Sequence, residues 1–166
     1  RIFEHADKYG TKCFSSSALR FASEWKGIDT DSIVTLYSEG SGLLDVYIIH
    51  QLEPIMSLMK SRVEAVMALN DFDHPSFVLK FSDGRYVHLH HTRADGTKFR
   101  ITVSDRENKG KHYVVDSDFF RLFVQAMLEF FDTGVVPVPH EQTIDVIAAR
   151  AAAIEAVKTP FQWVEV

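Results

Sequence analysis

The sequence predicts an α+β fold, an antiparallel or mixed open-faced β-sheet with helices packed on one face, preceded by the helix and strand that close an α/β layer. Three observations carry this. From Val63 to Ser104 short runs alternate apolar and polar residues and join at Asp83-Gly84 and Asp95-Gly96, the pattern of strands linked by tight turns. Stretches near residues 44–59, 117–132 and 141–158 instead repeat apolar residues at three- and four-residue spacing, which gives a helix one apolar face. The chain opens with a helical pattern, a glycine and a strand pattern, in the order used by an α/β layer.

Arg1 to Tyr9 sets Ile2, Phe3 and Ala6 on one side of a helix that Gly10 ends, and Thr11 to Ser16 follows as a short strand. A turn-rich connection runs through three serines, Arg20, Gly27 and Asp31 to a strand over Ser32 to Tyr37. Ser41 is expected to cap a helix reaching Met59, with Leu44, Ile48, Leu52, Ile55, Met56 and Met59 facing inward. Pro54 has no N–H for the carbonyl of His50, so the helix either kinks there or a new one begins. Val63–Leu69, Ser76–Phe81, Tyr86–Thr92 and Lys98–Ser104 read as one antiparallel meander, and a turn at Asn108-Lys109-Gly110 leads to a strand over His112–Val115. Ser117 caps a helix to Asp132 whose stripe of Phe120, Phe123, Val124, Met127, Leu128 and Phe131 is expected in the core against the sheet. Gly134 ends it. An alanine-rich helix over Glu141 to Lys158 is stopped by Pro160, and Phe161 to Val166 forms a last strand.

Length and composition fit one ordinary globular domain. The 166 residues are 46% hydrophobic and 25% charged, enough to bury about two-thirds of the unfolded surface. With 18 basic against 23 acidic side chains and no basic run, nucleic acid and anionic membranes are poor partners. Apolar runs are too short for a membrane span. Cys13 is the single cysteine, which excludes an intrachain disulfide and points to the cytoplasm. Opening at Arg1 without a signal segment, the sequence reads as a piece of a longer chain.

The chemistry is expected between Gly40 and Pro54, where glycines, carboxylates and a histidine meet in one apolar segment. Gly40-Ser41-Gly42 after a strand imitates a dinucleotide loop, but Asp45 stands where the third glycine belongs, so no cofactor site is assigned. His50 and Glu53, three apart on a helix, form either an acid/base pair or a surface hydrogen bond. Asp45, near the helix start, is favoured there by the dipole in any protein. Arg20 either clamps an anionic substrate or satisfies loop carbonyls. His88 and His90 share one strand face, yet no spacing announces a third ligand, so a polar sheet face is read there instead of a metal site.

Taken together, several stretches resemble the C-terminal part of the glucose-fructose oxidoreductase and inositol dehydrogenase family, Gfo/Idh/MocA. Phe3 to Phe21 is similar to that family's last dinucleotide-domain helix and strand; Gly42 to Pro54, with Tyr47-Ile48-Ile49-His50 and Glu53, resembles the helix carrying its active-site histidine. Phe130 to Pro139 followed by an alanine-rich helix is similar to its late pattern. The resemblance implies that residues 1–27 are the remnant of a Rossmann domain and crossover, and that residues 28–166 are the substrate-binding and oligomerisation domain. It implies an NAD(P)-dependent parent acting on a sugar or polyol, with NAD or NADP held upstream and this chain silent alone; the other reading is a non-catalytic assembly module. It implies His50 and Glu53 as catalytic and Arg20, Asp45 and Tyr47 as substrate-binding. The family's aspartate precedes the histidine by four residues, whereas Asp45 precedes His50 by five, a rotation of about 140° on a regular helix. The open sheet face bearing Tyr86, His88, His90 and Thr92 is expected to join subunits, through the same resemblance.

Overall fold

A computed structural model describes residues 1–71, 73, 75–93 and 96–166. Asp95, half of one expected turn, lies outside the described residues. The elements are α1 (Ile2–Lys8), β1 (Ile33–Ser41), α2 (Leu44–Met59), β2 (Val63–Ala68), β3 (Ser76–Phe81), β4 (Tyr86–Thr92), β5 (Arg100–Asp105), β6 (Gly110–Val114), α3 (Phe119–Thr133), α4 (His140–Ala156) and β7 (Trp163–Glu165). Two 3-10 turns, Ala18–Phe21 and Ser23–Trp25, precede β1.

The strands form one mixed sheet in the order β6-β5-β1-β4-β3-β2-β7. β1 runs parallel to β4, and every other neighbouring pair is antiparallel. The expected four-strand meander is therefore corrected: β2, β3 and β4 are consecutive neighbours, but β1 stands between β4 and β5. Strand periodicity fixes which side chains face inward; it does not fix which edges pair.

Alternation on β4 sends Val87, Leu89 and His91 to one face and Tyr86, His88 and His90 to the other. Helices α2 and α4 cover the first face and pack on each other. Leu36, Ile48, Leu52, Ile55, Phe77 and Leu89 are nearly or wholly sealed there, each contributing about 1.5–3 kcal/mol on burial. The second face is open, with Tyr37, Tyr86 and Trp163 exposed by 40%, 42% and 43%.

Three local expectations are corrected. Ser41 is the last residue of β1, not a cap; Leu43 occupies the N-cap position without a side-chain bond, and α2 runs through Pro54 as one helix. Thr11 to Ser16 joins no strand of the sheet. A strand needs a partner edge for its backbone groups, and here α4 side chains take part of that role: His140 Nε2 donates to the Cys13 carbonyl at 2.8 Å and Thr143 Oγ1 to the Ser15 carbonyl at 3.0 Å. Finally, α3 has no buried residue. It rests on the Ala18–Phe21 turn and on Phe14, whose ring meets Phe123 and Phe130 edge-on. Asp118 caps it by accepting from the Arg121 N–H, and Gly134 closes it at φ 67°.

Candidate active site

His50 sits in the middle of α2, half-buried beside the end of β1. Its Nδ1 lies 2.7 Å from Ser17 Oγ, and that hydroxyl also accepts the Leu19 N–H at 3.2 Å. An Nδ1–H donating to this hydroxyl, which has a second lone pair for it, leaves the Nε2 lone pair free to accept a proton. The Tyr47 ring meets the imidazole edge-on at 5.3 Å and the Phe99 ring at 6.2 Å. Burial pushes the imidazole pKa below the ordinary histidine value, so the ring is neutral near pH 7 and able to take a proton.

The two glycines of the false dinucleotide loop explain this frame. A Cβ on Gly42 would lie 2.5 Å from the Tyr47 ring, and one on Gly40 would lie 2.6 Å from the Phe99 ring. Each missing side chain is thus the seat of an aromatic ring beside His50. Gly42 also has φ +123°, which L side chains rarely adopt. Because aromatic rings fill the space that a pyrophosphate would need, the residues present do not fit a dinucleotide at this loop.

Arg20 and Glu53 face each other. Arg20 Nη1 is 3.0 Å from Glu53 Oε2, with side chains only 8% and 4% exposed. Ser16 Oγ donates to the same carboxylate oxygen at 3.1 Å, Arg20 Nη1 also reaches the Glu53 carbonyl at 3.3 Å, and Arg20 Nη2 donates to Gln142 Oε1. Burial pushes the Glu53 carboxyl upward, opposed in part by Arg20, Ser16 and the Ser17 N–H. The pair therefore clamps the serine segment onto α2 and holds Ser17 against His50. Sequence spacing suggested that Glu53 would meet His50; the observed partner of His50 is Ser17, signalled in sequence only by the serine run before Arg20.

Asp45 is exposed in the first turn of α2, where its carbonyl, not its carboxylate, accepts from Arg150 Nε at 2.9 Å. Tyr47 is 42% exposed and reaches both solvent and His50. Among the predicted residues, the structure joins His50 with Tyr47 and Arg20 with Glu53, and leaves Asp45 outside both pairs. Phe99 carried no sequence signal of its own, and Ser38, Gln51 and His91 form a buried polar group behind the site.

The sequence matches no family model and no curated protein. Its fold matches solved structures. A candidate myo-inositol dehydrogenase from Sinorhizobium meliloti 1021 superposes with a TM-score of 0.82 at 12% identity, over 98% of this chain and 68% of that one. A scyllo-inositol dehydrogenase from Lactobacillus casei, solved with bound NAD(H) and scyllo-inositol, gives 0.72 at 13% identity, over 96% of this chain and 66% of that one. The WlbA dehydrogenase from Bordetella pertussis, in complex with NADH and UDP-GlcNAcA, gives 0.74 at 12% identity, over 100% and 66%. The chain thus spans about two thirds of the length of these structures. No helix among the described residues is long and apolar enough to cross a membrane. A mixed seven-stranded sheet backed by helices on one face, superposing on dehydrogenase after dehydrogenase, is the fold of the C-terminal domain of the Gfo/Idh/MocA family.

Proposed function

We propose that this chain is the substrate-binding and assembly domain of an NAD(P)-dependent oxidoreductase that acts on a hydroxyl of a sugar or polyol in the cytoplasm. The observation that carries the reading is His50: a neutral imidazole with Nδ1 held by Ser17, leaving Nε2 for a substrate hydroxyl at the edge of the domain. His50 takes the hydroxyl proton as the substrate is oxidised and returns it in the reverse direction. Tyr47 and Asp45, exposed on the first turns of the same helix, contact the substrate. Glu53 and Arg20 act through each other, holding the serine segment in place. NAD or NADP, which would supply hydride chemistry, fits nothing at Gly40-Ser41-Gly42 and belongs to a dinucleotide-binding domain upstream, of which residues 1–27 are the last part. The open face of Tyr37, Tyr86, His88 and Trp163 joins subunits, as its mixture of aromatic and polar groups suits a partly wet interface.

The test is turnover of the longer protein with inositols and nucleotide sugars. His50→Ala is expected to lower kcat by about 10²-fold or more while circular dichroism stays unchanged, since general acid/base groups contribute that much. Asp45→Asn costs less. Full activity in His50→Ala rejects the assignment and leaves the non-catalytic assembly module as the reading.

A further inference from the structure

Behind His50 lies a buried polar group that the proposed chemistry does not use. Ser38, Gln51 and His91 are 2%, 1% and 0% exposed and come from β1, α2 and β4. Gln51 Nε2 donates to Ser38 Oγ at 3.2 Å and to the His90 carbonyl at 3.0 Å, which turns Gln51 Oε1 to within 2.7 Å of His91 Nδ1. His91 Nε2 lies 3.0 Å from the Gly42 carbonyl, and the Gly42 N–H donates to the Thr92 carbonyl at 2.9 Å. Successive residues of β4 therefore hold both polar groups of the one residue on which the Tyr47 ring is seated.

Sealing an imidazole and an amide away from water is costly unless they are bonded. An apolar pair would fill this layer as well, so the polar group needs a reason beyond packing. Both ring nitrogens of His91 face oxygen, which asks for two N–H donors, whereas burial and the neighbouring His90 and His50 push its pKa down despite the opposing pull of the Gly42 carbonyl. The Nε2 contact is the ring's hydrogen bond to the backbone, with the Gly42 carbonyl as acceptor.

We propose that Ser38, Gln51 and His91 are positioning residues that fix Gly42 and thereby hold the Tyr47 ring against His50. The unit acts at a distance: His91 pins the Gly42 carbonyl, Gly42 seats Tyr47, and Tyr47 with Phe99 shields one side of the imidazole that Ser17 orients. Gln51, next to His50 on α2, ties the same helix to β1 and β4. The titratable groups that act on this unit are His90 and His50. The inference rests on the reading of His50 as the proton-handling group only for its use in catalysis, because its test reads the His50 ring itself.

The experiment is an NMR titration of the His50 ring, with nuclear Overhauser contacts to Tyr47, in wild type, His91→Gln and His91→Asn. A glutamine amide reaches the place of Nε2 and keeps the bond to Gly42; an asparagine amide stops at the place of Nδ1 and loses it. His91→Gln should keep the depressed His50 titration and the Tyr47 contact. In His91→Asn the midpoint should rise toward the ordinary value of about 6.5 and the contact should weaken. Gly42→Ala strikes the seat itself, through its Cβ and through the backbone angle it strains, and should release Tyr47 in the same way. An unchanged His50 midpoint and Tyr47 contact in both His91→Asn and Gly42→Ala overturns the inference, even if His50→Ala abolishes turnover. The converse result, a shifted midpoint with full activity in His50→Ala, sustains the clamp and rejects the catalytic reading.

Discussion

Helices α2 and α3 are nearly equal in length and both carry a continuous apolar face, yet ten residues of α2 are buried and none of α3. The stronger amphipathic pattern belongs to α3, the exposed one, because its polar side is clean while α2 is apolar almost all round. A helix with polar residues confined to one side expects water there; one that buries even Gln51 and Glu53 expects protein on every side. Amphipathicity thus reports how sharply a helix divides its faces, and says nothing about how much protein the chain brings to its apolar side. The sheet takes α2 and α4, while α3 rests chiefly on the Ala18–Phe21 turn and Phe14.

The join between these two regions should break first. Arg20 stands on the turn beneath α3 and reaches into α2, so Arg20→Ala leaves Glu53 as a buried charge without its partner, a loss of about 3–5 kcal/mol. Urea unfolding measures it. Replacing both members together, as Arg20→Met with Glu53→Met, should recover much of that loss; a double variant as unstable as Arg20→Ala refutes the view that the uncompensated carboxylate is the cause. Inside α2, Ile55→Ala empties a site with no exposure and should cost about 2–5 kcal/mol. A smaller value means that the layer between α2 and the sheet collapses to fill the hole.

Element types were legible wherever a segment completes its own hydrogen bonds or meets its sequence neighbour. β3 and β4 fall where alternation and Asp83-Gly84 put them, and α2 ends at Met59 as expected. What failed depended on a partner chosen in three dimensions. Thr11 to Ser16 has strand composition but α4 side chains beside it. The α3 stripe has core composition but no sheet under it. At the site, the sequence marked His50 and its glycines but misread what the glycines are for: their missing side chains seat Tyr47 and Phe99. Ser17 and His91 lie 33 and 41 positions from His50 in sequence, and no local pattern reaches that far.

The α2 side should also be the acid-sensitive one. The folded chain depresses the pKa of His50 and His91 through burial. Between the ordinary value of about 6.5 and the lower folded values, the unfolded chain holds protons that the folded chain does not. Falling pH then favours unfolding, and this stabilisation, complete above the unfolded pKa, is lost as pH drops through the folded ones. Subtracting the stability–pH curve of His50→Gln from that of wild type isolates His50, because the opposite trend from the raised Glu53 is common to both. A flat difference curve below pH 6.5 contradicts the assigned burial of the ring.

The smallest effect should come from the apolar side of α3. Phe131 is 68% exposed and Phe120 63%, so removing either ring returns little area to water, and surface changes of this kind usually fall within about 0.5 kcal/mol. Phe131→Ser is the sharper choice. Its ring touches Phe130 at 5.5 Å, while Phe130 carries the contact with Phe14 that holds the helix down. Phe131→Ser should leave the urea midpoint almost unmoved and lower the binding of a hydrophobic dye, since it removes exposed apolar area. Phe130→Ser should do the reverse, loosening α3 from Phe14 and exposing what lies beneath. If Phe131→Ser costs more than about 1 kcal/mol, its ring is covered in solution by something other than the residues seen here, because a ring left two-thirds in water has too little buried area to supply that much.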